Sequence, residues 1–315
     1  MAPTAESAFS SLIGRETCAP ESSGLIVVMG MSRSGTSLTT SMMSALLGGA
    51  AEVWRGSGAP YPADRANPGG YFERQDVVRL NYDALRALGT PWHAFPSGFE
   101  DRPAPLHAAN GSARFNAAAR AIVADMGAHA HAARGRAAVL KDVRFARTLP
   151  LWWPLLPRPL RPLVCVVPIR HPAEVVDSSM LHSVVVWRNY MLSALVTARA
   201  LGCPTALVPY DRWLHPNGSA ERQLSALHAF LRCAGIGGLP AVPPLRIARE
   251  LVRPAAHHHR SRARALPPSV SCLWDELSSG RALRWPWDAK AQRFAQPLPC
   301  ASTTRSSARR TSHVR

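Results

Sequence analysis

Lysine is nearly absent from this chain: of 37 basic residues only Lys141 and Lys290 are lysines. The remainder is arginine, in a background rich in alanine and proline, so an arginine cluster carries little information and a retained lysine carries more. Acidic residues number 20, leaving a formal charge of +17. The six cysteines (Cys18, Cys165, Cys203, Cys233, Cys272, Cys300) contain no C-x-x-C and no metal-ligand spacing. That argues against a zinc site and against a disulfide scaffold. The first residues lack the basic start and apolar run of a secretory signal, and no charge-free apolar stretch reaches about 18 residues. The expectation is a soluble, cytoplasmic, reducing setting with no transmembrane segment. Asn110-Gly-Ser and Asn217-Gly-Ser fit glycosylation sequons, which matter only for a secreted chain.

What remains is ample material for a core. The chain has 315 residues, 47% of them hydrophobic, which suits one α/β domain with appendages. Residues 1–23 are rich in Ala, Ser, Pro and Glu and read as a flexible lead-in. Leu25-Ile-Val-Val-Met29 is a short β-branched run ending at Gly30, the pattern of a buried strand. Helix is expected from Gly35 to Leu47, a Gly/Pro loop over 51–72, and helices near 74–88 and 112–134. Ala137–Leu140 and Leu163–Val167 read as further buried strands. Helices at 173–182 and 187–201, a strand at 206–208 and a helix at 219–234 complete the pattern.

Strands alternating with helices predict a three-layer α/β fold with a central parallel sheet, similar to P-loop NTPases. Ligands on such sheets sit at the carboxyl ends of the strands, which places Gly30, Lys141, Arg170 and Tyr210 on one rim. The folded domain is expected over 24–252. Residues 253–315 hold 12 Arg/Lys against 3 Asp/Glu, have no hydrophobic period, and read as a basic, mostly disordered tail. No aromatic stacking motif accompanies that charge, so no nucleic-acid partner is expected. The His257–His259 run has no second ligand cluster and reads as solvated linker.

Gly30-Met-Ser-Arg-Ser-Gly-Thr-Ser37 follows a strand and opens a helix. It matches G-x-x-x-x-G-K-[ST] except that Thr36 stands where lysine belongs. The anion-binding physics survives: glycines permit the tight turn, successive N–H groups point inward, and the helix N-terminus favours negative charge. Arg33 supplies a cation, and Ser34, Thr36 and Ser37 supply hydroxyls around Gly35. An NTPase without the lysine lacks a major phosphate contact. No strand ends in an Asp suited to Mg²⁺, since Lys141 adjoins Asp142. The loop reads as a metal-independent seat for a phosphate or sulfate group.

With that loop, Arg33-Ser-Gly-Thr-Ser37, the sequence resembles the PAPS-dependent sulfotransferases, whose donor is 3′-phosphoadenosine 5′-phosphosulfate. Arg170-His-Pro-Ala-Glu-Val-Val-Asp-Ser178 has the spacing of their 3′-phosphate motif. Arg170 would offer a forked cation and Ser178 a hydroxyl from the next helix. Asn67-Pro-Gly-Gly-Tyr-Phe-Glu73 resembles a segment of bacterial-type members in which the Glu is the candidate base. Lys141-Asp142-Val143-Arg144 resembles their K-D-P-R, with Val143 in place of the proline. The resemblance spans about residues 24–235 and lacks the C-terminal Arg/Lys-Gly element of the cytosolic enzymes. It implies PAPS as co-substrate, no metal, and a hydroxyl acceptor, a glycan more than a small phenol. It also implies catalytic roles for Glu73 and Lys141. Alternatives are a P-loop kinase or nucleotidase with a displaced cation, and a non-catalytic nucleotide binder or basic interaction protein. His93 is the second candidate base, Asp142 and Arg144 are read as orienting groups, and Trp187 and Tyr190 as core.

Overall fold

The structure is a computed structural model that describes residues 18–49, 52–65, 67–95, 99, 112–132, 137–157, 160, 163–178, 183–214, 219–243, 245–252, 265–284, 287–288 and 293–294. The Asn and Gly of both sequons (110–111 and 217–218), the His257–His259 run, Lys290 and Cys300 lie outside these residues.

Four strands form one parallel sheet: β1 (Leu25–Val28), β2 (Ala138–Lys141), β3 (Leu163–Ile169) and β4 (Thr205–Pro209), in the order β2-β1-β3-β4. Val28 is in register with Lys141 on one side and Val166 on the other, and Ile169 with Pro209. The chain steps from β1 out to β2, then returns past β1 to β3. The carboxyl ends of β1 and β3 therefore flank the point where strand order reverses, the place at which such sheets bind ligands.

The strands are apolar on both faces, and their alternation sorts side chains into two cores. Leu25, Val27, Leu140, Cys165 and Val167 face one. It is covered by α4 (Ala113–Ala132), α5 (Phe145–Trp152) and α7 (Val184–Ala200). Ile26, Val28, Val139, Val164 and Val166 face the other. It is covered by α1 (Thr36–Leu46) and α9 (Ser219–Cys233). The α/β architecture with helices on both faces of a parallel sheet thus stands as expected. The remaining helices are short connectors or edge pieces: α2 (Glu52–Arg55), α3 (Gln75–Ala87), α6 (Pro172–Asp177), α8 (Tyr210–Leu214) and α10 (Arg246–Leu251). α6 is shorter than the helix expected over 173–182, since within the described residues it ends at Asp177 with Ser178 as its cap.

Two expectations are corrected at the chain ends. Cys18 is disulfide-bonded to Cys233 across 215 residues of sequence, and Cys272 is disulfide-bonded too. Residues near Cys18 are also held by backbone bonds: Ala19 N donates to Cys233 O (3.0 Å) and Gly237 N to Ser22 O (2.7 Å). The lead-in expected over 1–23 is therefore docked from Cys18 onward. Cysteine spacing could not reveal a bridge between residues brought together only by the finished sheet. The cysteines consequently give no argument for a reducing compartment. Second, the tail expected from residue 253 contains a helix, α11 (Pro268–Ser278), whose Val270, Leu273 and Leu277 are buried in the first core. Its apolar stripe recurs at helical spacing, but proline and arginine around it masked the period. Among the described residues no helix is long and apolar enough to cross a membrane.

Candidate functional site

The loop after β1 is built from left-handed backbone. Gly30, Arg33 and Gly35 have φ of 130°, 66° and 91°. Glycine is required at 35 for a second reason: a Cβ there would lie 2.3 Å from Tyr210 Cδ2. α1 begins at Thr36 with no capping side chain and no acidic residue in its first turn, leaving the positive end of the helix dipole unneutralised by carboxylate. Ser34 is wholly buried and its Oγ has no hydrogen-bond partner among the described residues. A buried hydroxyl in that state is costly unless something else bonds it. An anion seated in the loop is such a partner.

Arg170, at the end of β3, reaches this loop directly. Its Nη1 donates to Arg33 O (3.2 Å) and its Nε to Glu174 Oε2 (3.0 Å) in α6. Its guanidinium carbon lies 4.7 Å from the centre of the Tyr210 ring. The two segments singled out as anion cradles, 30–37 and 170–178, thus adjoin on one rim. Ser178 is less committed to it: its Oγ donates to Val175 O (2.8 Å), within its own helix. The His171 ring meets Trp274 of α11, ring centroids 5.2 Å apart.

Lys141 ends β2 and is 3% exposed. Its Nζ donates to Glu73 Oε1 (2.5 Å) and Tyr71 O (2.9 Å) and lies 3.5 Å from Ser37 Oγ. Glu73 is buried as well. Burial pushes its carboxyl pKa up, and Lys141 opposes that shift only in part. The pair is therefore a desolvated carboxylate and ammonium, placed one hydrogen bond from the first turn of α1. Glu73 does not cap α3, whose N-cap is Arg74; Asp76, in the first turn, accepts from Val77 N (2.8 Å) and pairs with Arg74 (2.7 Å).

Sequence reasoning missed the groups that hold this arrangement. Asn67 Nδ2 donates to Ser37 Oγ (3.0 Å) and Gly70 O (2.7 Å), stapling the Gly/Pro loop to α1. The Tyr71 hydroxyl donates to the Asp64 carboxylate (2.8 Å to Oδ2), and burial with that bond raises its pKa to about 12. Arg74 pairs with Asp125 of α4 (2.5 Å), anchoring the far end of the same segment. Asn67 and Tyr71 stood in the quoted motif, but only the fold gives them partners.

Asp142 is fully buried. Asn81 Nδ2 (2.9 Å) donates to its Oδ2, and Arg144 N (2.9 Å) and Nη1 (2.8 Å) donate to its Oδ1. It orients the turn that follows Lys141. His93 is exposed with its ring against Trp92, and no described contact brings it to the Lys141–Glu73 pair. Trp187 and Tyr190 are wholly buried in the first core. Among the described residues no group of three or more His, Cys, Asp or Glu side chains is placed to hold a metal ion. Comparison with protein-family models, curated proteins and solved structures yields no match.

Proposed function

We propose that this chain transfers a sulfuryl group from PAPS to an acceptor hydroxyl, on a P-loop NTPase-like framework. The observation that carries the reading is the contact between the two anion cradles through Arg170 and Arg33 O (3.2 Å), with the Lys141–Glu73 pair joined to the same loop at Ser37. One nucleotide bearing anions at both ends of its ribose would span such a rim. In this reading Arg33, Ser34, Gly35, Thr36 and Ser37 hold the 5′-phosphosulfate. Arg170 binds the 3′-phosphate, with Ser178 released from Val175 O to join it.

The acceptor oxygen attacks sulfur while the bond from sulfur to the 5′-phosphate oxygen breaks, leaving PAP (3′-phosphoadenosine 5′-phosphate). The acceptor proton passes to the Glu73 carboxylate. Charge growing on the leaving phosphate is offset by Lys141, Arg33 and the loop N–H groups, and burial strengthens each of these interactions. No metal is needed in this scheme. The acceptor class proposed is a carbohydrate hydroxyl.

Titration calorimetry with PAP and transfer of labelled sulfate from PAPS to a panel of glycans, phenols and lipids test the reading. PAP binding that is lost in Arg33→Ala and Arg170→Ala supports it. Absence of both PAP binding and transfer sinks it. The position of Lys141 Nζ, 3.5 Å from Ser37 Oγ, favours one second reading, a phosphoryl transferase whose cation comes from β2. That enzyme would turn over ATP with Mg²⁺ and stop in EDTA, whereas sulfuryl transfer continues.

A further inference from the structure

Among the described residues, only two that are not glycine have a left-handed φ: Arg33 (66°) and Phe72 (55°). One lies in the loop after β1, the other in the segment that delivers Glu73. A bulky aromatic residue adopts this conformation only where its surroundings hold it there. The Phe72 ring packs against Trp54 of α2, centroids 5.4 Å apart at 58°. Trp54 in turn rests on the second core. Beyond Phe72 the chain is pinned by Tyr61 N to Glu73 O (2.7 Å) and Gln75 N to Ala59 O (2.9 Å).

The reversal at Phe72 has a local result. Tyr71 presents its carbonyl, and Glu73 its carboxylate, to the same ammonium, Lys141 Nζ. The left-handed residue stands between the two converging groups, and the Trp54 ring lies against its side chain.

We propose that Phe72 is a positioning residue, a latch whose left-handed backbone, held by the Trp54 ring, aims the Glu73 carboxylate at Lys141. Its kinetic test rests on the sulfuryl-transfer reading; its structural test does not. The ring contact described for Trp54 is with Phe72, and its removal is expected to let Phe72 relax and Glu73 swing away. Glycine takes the left-handed conformation without help, so Phe72→Gly makes the ring stack unnecessary. The two substitutions are therefore expected to be non-additive.

Trp54→Ala is expected to lower turnover about tenfold or more while PAP affinity stays within about twofold. Adding Phe72→Gly to Trp54→Ala is expected to restore turnover to within about threefold of Phe72→Gly alone. Phe72→Val, whose branched side chain disfavours the left-handed region, should behave as Trp54→Ala does, and replaces it if Trp54→Ala does not fold.

A second readout needs no donor or acceptor: carbon NMR titration of the Glu73 carboxyl in the free protein. The groups facing it are Lys141 and Asp142 from the end of β2, Arg144 from the turn beyond, and Tyr71 beside it. Burial holds its titration above that of an exposed glutamate. The midpoint should fall in Trp54→Ala, as the carboxyl reaches water, and return in the double variant. If no sulfuryl transfer occurs in the wild type but this titration behaves as described, the enzyme reading fails and the latch stands. If Trp54→Ala leaves the midpoint and turnover unchanged, or the two defects multiply, the latch is wrong.

Discussion

Two regions of this molecule hold a segment of chain in place by different means. At the carboxyl ends of β1 and β3 the loops are held by backbone torsion and buried charge: φ of 91° at Gly35 and the Arg170–Glu174 pair at 3.0 Å. At the edge formed by the end of α9, residues from Cys18 onward are held by a covalent bridge and a few backbone bonds. The first device is costly to break and gathers charge on the rim where the nucleotide is proposed to bind. The second resists unfolding and presents no chemistry. Stability and recognition are therefore expected to separate under mutation.

The sharpest way to break that contrast is Arg170→Ala. It removes the guanidinium from a glutamate that is 1% exposed. Losing one partner of a buried pair costs about 3–5 kcal/mol, measured by urea unfolding. On the sulfuryl-transfer reading proposed above, loss of the forked contact is expected to lower PAP affinity about 100-fold. The double variant Arg170→Ala/Glu174→Ala should regain most of the stability and none of the affinity. Cys18→Ser is the mirror image: it costs about 2–5 kcal/mol by releasing a long loop in the unfolded chain, with PAP affinity unchanged by calorimetry.

Gly35→Ala belongs to the first region and should cost about 1–3 kcal/mol from the forced torsion, with a further clash at Tyr210. Tyr210→Ala in that background relieves the clash alone, so melting recovers in part and PAP binding stays weak.

The pH dependence of turnover sharpens the role of Glu73. Its carboxyl pKa is raised in the fold by burial, so it remains protonated, and unable to serve as the proposed base, to a higher pH than an exposed glutamate. The acid limb of kcat should lie above that of an exposed glutamate, with activity rising as pH increases through it. Lys141 opposes the upward shift, so Lys141→Gln should move the limb higher still. The smallest effect is expected from Ser178→Ala. A change in melting worth less than about 1 kcal/mol is expected, with PAP affinity down about fivefold if the hydroxyl turns to the nucleotide.

How much of this was legible depended on the range of each signal. β1 and the loop after it announce themselves within a dozen residues, because the apolar run, the glycines and the helix pattern are contiguous. Lys141 stood out against an arginine background, and the fold brings it to Glu73. The strand ends of Arg170 and Gly30 fell on one rim because parallel topology puts all such ends together. The contacts of Asn67 with Ser37 and of Arg74 with Asp125 are unreadable in advance, since each needs two helices and a loop to be placed first. Arg147 shows the cost of compositional bias. One arginine among many, it is 3% exposed, donates to the carbonyls of Pro91 (3.1 Å) and Ala94 (2.8 Å), and lies over Phe95. Nothing in its neighbours marks it as different. α11 was hidden for the same reason.

The bridge from Cys18 to Cys233 encloses the whole parallel sheet within one covalent ring. A protease that cuts any surface loop inside that ring leaves the two pieces chained together. They should migrate as one species on a gel until a thiol is added, and the nicked molecule keeps both halves of its rim in register.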